Sequence, residues 1–179
     1  MSSGMLSPSK TLADLRREFD NAFAALPAGP GEGRESLIAL RAAGEPLAVR
    51  TLHIVGICKR RRIVPVPTRV SGLLGLTGFR GALLPVYDLA ALLGLPGAAG
   101  EGAWLMLTGP ETPVGLIFDE FEGQVEVERA CLYESERSSE RAHLRMVARM
   151  GAGHRAVIDI PGVVEEIRKN AGHPTPAKE

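Results

Sequence analysis

The segment from Val70 to Leu89 constrains this chain more than any other: it is almost wholly apolar and broken by a single cation at Phe79-Arg80-Gly81. Two short apolar runs on either side of a glycine-flanked arginine read as a strand, a tight turn and a second strand. Glycine supplies the positive φ that such a turn needs, and the runs have the length of buried strands. Gly72, Gly75, Gly78 and Gly81 recur in threes, a spacing that could cradle phosphate. The residues after them, Leu83-Leu84-Pro85-Val86, read as a strand and not as the long helix that a phosphate loop feeds.

With 179 residues the chain can form one domain, or two small subdomains that share a core. Its 21 basic and 21 acidic residues cancel and 45% of residues are apolar, which places it outside the disordered class. A neutral chain with 4% aromatics is a poor nucleic-acid binder, lacking both the basic excess and the stacking platform. Cys58 and Cys131 stand far apart and read as reduced thiols in a cytosolic protein. No charged segment leading into an apolar stretch opens the chain, so no secretory signal is expected. Arg80 and Asp88 break the longest apolar run well below the roughly 18 residues that would span a bilayer. A soluble, cytoplasmic protein without membrane insertion is the expectation.

Residues 1–10 read as a disordered start. Thr11 to Leu26 predict an amphipathic helix, with Leu12, Leu15, Phe19, Ala22, Phe23 and Leu26 on one stripe and Thr11 and Asp14 at capping-box spacing. Its stripe requires a cover, from the rest of the chain or from a partner. The Pro- and Gly-rich stretch 27–35 is a linker. From Ser36 the period turns to two and strands dominate: Leu37–Arg41 and Pro46–Arg50 around Ala43-Gly44, then Ile54–Cys58, then Leu73–Thr77 and Ala82–Tyr87. Asp88 to Gly94 reads as a short helix with Asp88 as its cap. Trp104–Thr108, Pro113–Asp119 and Gly123–Val127 come next, and then the charged run 134–141 as a solvated loop. His143–Met150 and His154–Ile160 form a last hairpin, Val163–Ile167 a closing helix or turn, and 170–179 a frayed tail. Many short strands with turns between them predict small barrels or a sandwich, with no sign of a parallel sheet.

Nothing in the chain has the pattern of a catalytic site. His53, His143, His154 and His173 show no ligand spacing with cysteines or carboxylates, so no metal and no cofactor is expected. A nucleophile elbow, a Walker motif and a dinucleotide fingerprint are all missing. Asp119, Glu120 and Glu122 cluster without a base nearby in sequence and read as a solvated strand edge or turn. Lys59-Arg60-Arg61-Arg62 is the one concentrated charge: either a solvated loop or a contact for an acidic partner. Arg80, an arginine at a turn between apolar strands, offers a fixed fork of donors to carboxylates or carbonyls across an interface, or is an ordinary exposed turn residue.

From about Glu35 to Lys169 the order and spacing of these elements resemble the CheW family of bacterial chemotaxis adaptors. The family's hairpin wording, Gly-Val-x-Asn-Leu-Arg-Gly-x-x-x-Pro-Val-x-Asp-Leu, falls on Gly75 to Leu89. Leu37-Ile38-Ala39-Leu40-Arg41, Ile54-Val55-Gly56-Ile57, Ile63-Val64-Pro65-Val66-Pro67, Gly115-Leu116-Ile117-Phe118-Asp119 and Val157-Ile158-Asp159-Ile160 are similar to its other signature stretches. The resemblance implies a mainly β CheW-like domain over 36–169, built of two small five-stranded SH3-like barrels that share a core, with the N-terminal helix as an addition. It implies a non-catalytic scaffold that bridges the regulatory domain of a CheA-type histidine kinase and the cytoplasmic tip of methyl-accepting chemoreceptors. Such a protein is cytoplasmic and recruited to membrane-associated receptor arrays.

Carried over by position, Arg80, Phe79, Leu76 and Ile54 would face the receptor, whose helical hairpin suits helix-in-groove recognition. Gly78 and Gly56 stand in the same surface where the family has Asn and Glu. Losing those two polar side chains suggests a divergent adaptor, or a regulatory decoy that binds the kinase but no receptor. A small barrel that binds polyanions or small molecules through Lys59–Arg62 is the reading from a different class.

Overall fold

The structure is a computed structural model that describes residues 33–96, 103–109, 113–134, 143–151 and 153–172. The chain divides after Glu32, and all described residues lie in the unit that begins at Gly33. The expected disordered start, the helix of residues 11–26, most of the linker and the last seven residues fall outside the described residues.

Eleven described strands form two sheets. The first runs in the order β8 (Glu120–Glu128), β1 (Arg34–Ala42), β2 (Glu45–Arg50), β11 (Gly153–Ile158), β10 (Met146–Met150) and β9 (Leu132–Glu134). The second runs β3 (Ile54–Lys59), β6 (Trp104–Thr108), β7 (Gly115–Phe118), β5 (Ala82–Asp88) and β4 (Leu73–Phe79). The strands of the second sheet are consecutive in the chain, so it is inserted between β2 and β8 of the first.

Alternation along the strands explains how one chain supports both sheets. Leu37, Ala48, Val127, Ala148 and Val157, all from the first sheet, make one buried cluster. Leu84, Val86, Leu105, Leu107 and Ile117, all from the second, make another. Their neighbours in sequence, Ile38, Leu47, Val49, Tyr87, Met106 and Leu116, point the other way into a larger cluster fed by both sheets. Each sheet therefore encloses its own apolar centre and lays its opposite face on the common one, as two small barrels sharing a core would. Burial on both faces is why Leu105-Met106-Leu107 is continuously apolar instead of alternating.

Several boundaries differ from the expectation. Arg34 and Glu35, assigned to the linker, already pair with Glu128 and Val127 of β8. The first sheet has six strands, because the three-residue β9 adds at its edge. Each sheet contains one parallel pair, β2 with β11 and β5 with β7, where no parallel pairing was expected. The last strand stops at Ile158, and the final helix, α2 (Ile160–Gly172), runs through Asn170–Gly172 of the expected tail. Asp159 explains the change. Its carboxylate accepts from the Gly162 amide at 3.2 Å and its carbonyl from Val163 at 3.0 Å, so it caps the helix. Pro161 sits in the first turn, where no amide donor is required.

The shorter helix, α1 (Leu89–Leu92), begins as its sequence suggests, with Asp88 accepting from the Ala91 amide at 3.0 Å. The acids at 119–122 do find bases, from far along the chain. Glu122 pairs with Arg41 at 2.8 Å and with Arg155, while Asp119 accepts from the Gly44 amide at 3.1 Å. The hydrogen bond from Arg155 is the main reason the Glu122 carboxyl lies below the ordinary carboxylate range.

Candidate partner-binding surface

The hairpin that carries Arg80 is built by register. Phe79 pairs with Ala82, Gly78 with Leu83 and Thr77 with Leu84. Two residues remain for the turn, Arg80 at φ 47° and Gly81 at φ 82°. Positive φ at both central positions is the two-residue hairpin turn whose twist matches that of its strands. Glycine enters that region freely, whereas a side chain there costs about 1–2 kcal/mol, so Arg80 occupies its position against local preference. Ala43, at φ 50° in the turn between β1 and β2, shares this conformation.

The basic run lies directly beside this turn. Beyond Lys59 the chain leaves β3 and reaches β4, the opposite edge of the same sheet. Val64 and Leu76 exchange two backbone hydrogen bonds at 2.8 and 2.9 Å, and the Thr77 hydroxyl donates to the Arg62 carbonyl at 2.9 Å. Gly75 makes the approach possible: a Cβ there would run into the Val64 carbonyl, and its own φ is 145°. The Arg60 amide donates to the Ala103 carbonyl at 2.9 Å. Lys59 to Arg62 are exposed, as a solvated connection would be, but the segment 59–64 is thus pinned at both ends.

Aromatic rings then order the cations. Arg61 and Arg80 stand over the same ring, their guanidinium carbons 5.3 and 5.2 Å from the centre of Phe79. Lys59 stands over Trp104, its Nζ 3.7 Å from the ring centre. Each contact is worth about 0.5–1 kcal/mol at an exposed site, enough to bias a rotamer while leaving the N–H donors available. Arg61 and Arg80 are exposed, and neither is ion-paired among the described residues. The sequence suggested Arg80 and Lys59–Arg62 as separate features; the structure joins them through Phe79.

Ile54 and Gly56 sit elsewhere. They lie on β3, at the edge of the sheet opposite β4, with Ile54 packed against the common core and Val55 bulged outward between them. On β4, Leu76 and Gly78 point to one face and Thr77 and Phe79 to the other, with Phe79 packed on the second sheet's own cluster and Arg80 at the turn. A Cβ added at Gly56 or Gly78 would meet nothing within 4 Å, and neither glycine needs positive φ. The space for the family's Glu and Asn is present at both positions.

Sequence reasoning missed the roles of Gly75, Val64 and Trp104. A glycine inside a strand signals a bulge or a close backbone approach, and that signal was available at Gly75. Nothing in the sequence pairs Lys59 with Trp104, 45 positions away, before β3 and β6 are known to be neighbours.

A family description of the CheW-like domain matches residues 36–168. The chain belongs to the CheW-like domain family. Among solved structures, the scaffolding protein TtCheW from Thermoanaerobacter tengcongensis superposes with a TM-score of 0.64 at 16% identity. The match covers 70% of this chain and 88% of that one, and at this identity it speaks for the fold. Comparison with curated protein sequences returned no match. The CheW-like domain thus accounts for both sheets and for most of α2, while residues 1–35 lie outside it. No helix among the described residues is long and apolar enough to cross a membrane.

Proposed function

We propose that this chain is a non-catalytic chemotaxis scaffold that couples the cytoplasmic tips of chemoreceptors to the regulatory domain of a CheA-type histidine kinase. Arg80 carries the reading. It occupies the family's arginine position, stands at the tip of a rigid hairpin in a strained conformation, and is braced on Phe79 with its donors exposed. A scaffold works by binding free energy alone, and a fixed guanidinium fork offers both attraction and register to a helical partner. Recruitment to membrane-associated arrays follows from the partners, with the protein itself in the cytoplasm.

The vacant positions at Gly56 and Gly78 favour a second reading, a regulatory decoy that engages the kinase but not the receptor. Co-sedimentation with chemoreceptor-containing membranes from the same organism, with and without the kinase, separates the two. Sedimentation strengthened by kinase and lost in Arg80→Glu is the result expected of the scaffold. Kinase binding in solution without membrane recruitment would replace it with the decoy.

A further inference from the structure

We propose that Arg61 and Arg80, braced on the one ring of Phe79, form a two-arginine clamp for a helical partner segment that presents carboxylates one turn apart. The proposal rests on the scaffold reading and names the chemistry of the surface that Arg80 occupies. Arg61 is not part of the hairpin motif; it arrives from the β3–β4 connection, and its place is set by the Val64–Leu76 bridge.

The charge distribution fits an acidic occupant. Between Pro46 and Tyr87 there is no Asp or Glu, but there are one lysine and six arginines. Net neutrality is restored elsewhere, notably on β8, where Glu120, Glu122, Glu126 and Glu128 are concentrated. Of these arginines Arg50 belongs to the other sheet and pairs with Glu35, while Arg61 and Arg80 meet at Phe79 with no ion pair among the described residues, a local positive patch suited to steering a negatively charged segment.

Geometry narrows the occupant further. Both guanidiniums lie within 5.3 Å of one ring centre. They are therefore no farther apart than about twice that distance, and carboxylates at i and i+3 or i+4 of a helix, springing from Cβ atoms about 5–6 Å apart on side chains that can splay, fall within this span. Val64, 56% exposed and three residues beyond Arg61, provides apolar surface beside the clamp.

The test is binding of a chemoreceptor-tip helical hairpin fragment to the full chain and to Arg61→Gln, Arg80→Gln and Arg69→Gln, with the fragment's paired acids kept or changed to glutamine. Arg61→Gln and Arg80→Gln should each weaken binding about fivefold, as for a well-placed exposed ion pair, and both effects should vanish against the glutamine fragment. Arg69→Gln, another exposed arginine of the same acid-free stretch, should bind as the wild type does. Loss with Arg80→Gln alone would overturn the clamp and leave the scaffold reading standing. Equal loss with Arg69→Gln would replace the clamp by a diffuse field. A fragment bound by no form of the protein would overturn the scaffold reading and the clamp together. Retention on phosphatidylserine vesicles in place of the fragment, lost in the Arg61 and Arg80 variants, would assign the arginines to a lipid surface and overturn the clamp.

Discussion

Val64 and Leu76 exchange both of their backbone hydrogen bonds, at 2.8 and 2.9 Å, and this one bridge lays the basic run along the edge of the hairpin. Together with the hydrogen bond from the Thr77 hydroxyl to the Arg62 carbonyl, it fastens the segment after Lys59 to β4, beside which Arg61 stands over Phe79. The placing of Arg61 beside Arg80, on which the two-arginine clamp depends, thus rests on a backbone contact between two apolar residues.

Gly75 makes that bridge possible, and its replacement should break it. In Gly75→Ala the new methyl would collide with the Val64 carbonyl, a backbone atom that cannot rotate away, and the left-handed φ adds strain. A loss of about 2–3 kcal/mol in urea unfolding is expected, the range of overpacked sites. Faster amide exchange at Val64 and Leu76 than at Leu105 and Met106 would locate the damage. Unchanged exchange at those two amides would show that the bridge does not need the glycine.

Arg80 should show function opposed to stability. Arg80→Gly removes the cost of a side chain at φ 47°, partly offset by a freer unfolded chain and the lost contact with Phe79, for a net gain of about 0.5 kcal/mol. Arg80→Ala keeps the strained φ and gains nothing. Both variants should lose receptor binding to a similar degree while thermal melts rank glycine above arginine and alanine. A destabilised Arg80→Gly would mean that the turn is not strained.

The elements that could be read from sequence are those whose causes are local. The run Trp104–Thr108 is β6 to the residue, Asp88 caps α1, and Ala43-Gly44 and Arg80-Gly81 both turn with positive φ as glycine-bearing hairpins do. What escaped depends on partners remote in the chain. Leu132–Glu134 is a strand only because β10 is beside it, and β2 meets β11 across more than a hundred residues. Nearer at hand, Pro161 and Gly162 fall between the expected strand and the expected closing helix, yet they open α2 because Asp159 is there to cap it. At the candidate site, Arg80 and the basic run were both visible, but their meeting at Phe79 was not. That meeting needs Gly75 to admit Val64, a tertiary fact with only a one-residue trace in the sequence.

His53 should make the protein less stable in mild acid. Burial, and then the nearby Arg50, hold its pKa below the ordinary 6.5 despite the opposing charges of Asp159 and Glu35, and its Nδ1 is buried without a hydrogen-bond partner among the described residues. The unfolded chain therefore binds the proton more readily than the folded one. Stability is full above the unfolded pKa and declines as the pH falls through 6.5 towards the folded value. Urea midpoints at pH 7 and pH 5 should differ more for the wild type than for His53→Gln, by less than about 1 kcal/mol given the partial exposure of the ring. Equal differences in the two proteins would assign the acid sensitivity to other groups.

Gly56 and Gly78 distinguish a divergent scaffold from a decoy. Neither position is crowded and neither requires a left-handed backbone, so the family's Glu and Asn can be restored without repacking. Gly78 lies exposed on β4, two residues before Arg80 and opposite Leu83, a side chain 73% exposed. An asparagine there would add a donor and an acceptor beside the arginine at little cost, since strand interiors lose stability with glycine. Gly56→Glu and Gly78→Asn should therefore leave the urea midpoint unchanged or slightly raised, within about 0.5 kcal/mol. If the natural protein is a scaffold, receptor membranes should already retain it, and the double variant should bind with similar or modestly greater affinity. If it is a decoy, retention should appear only in the double variant. Retention in neither form, with kinase binding intact, would show that the missing polar groups are not what separates this chain from the receptor.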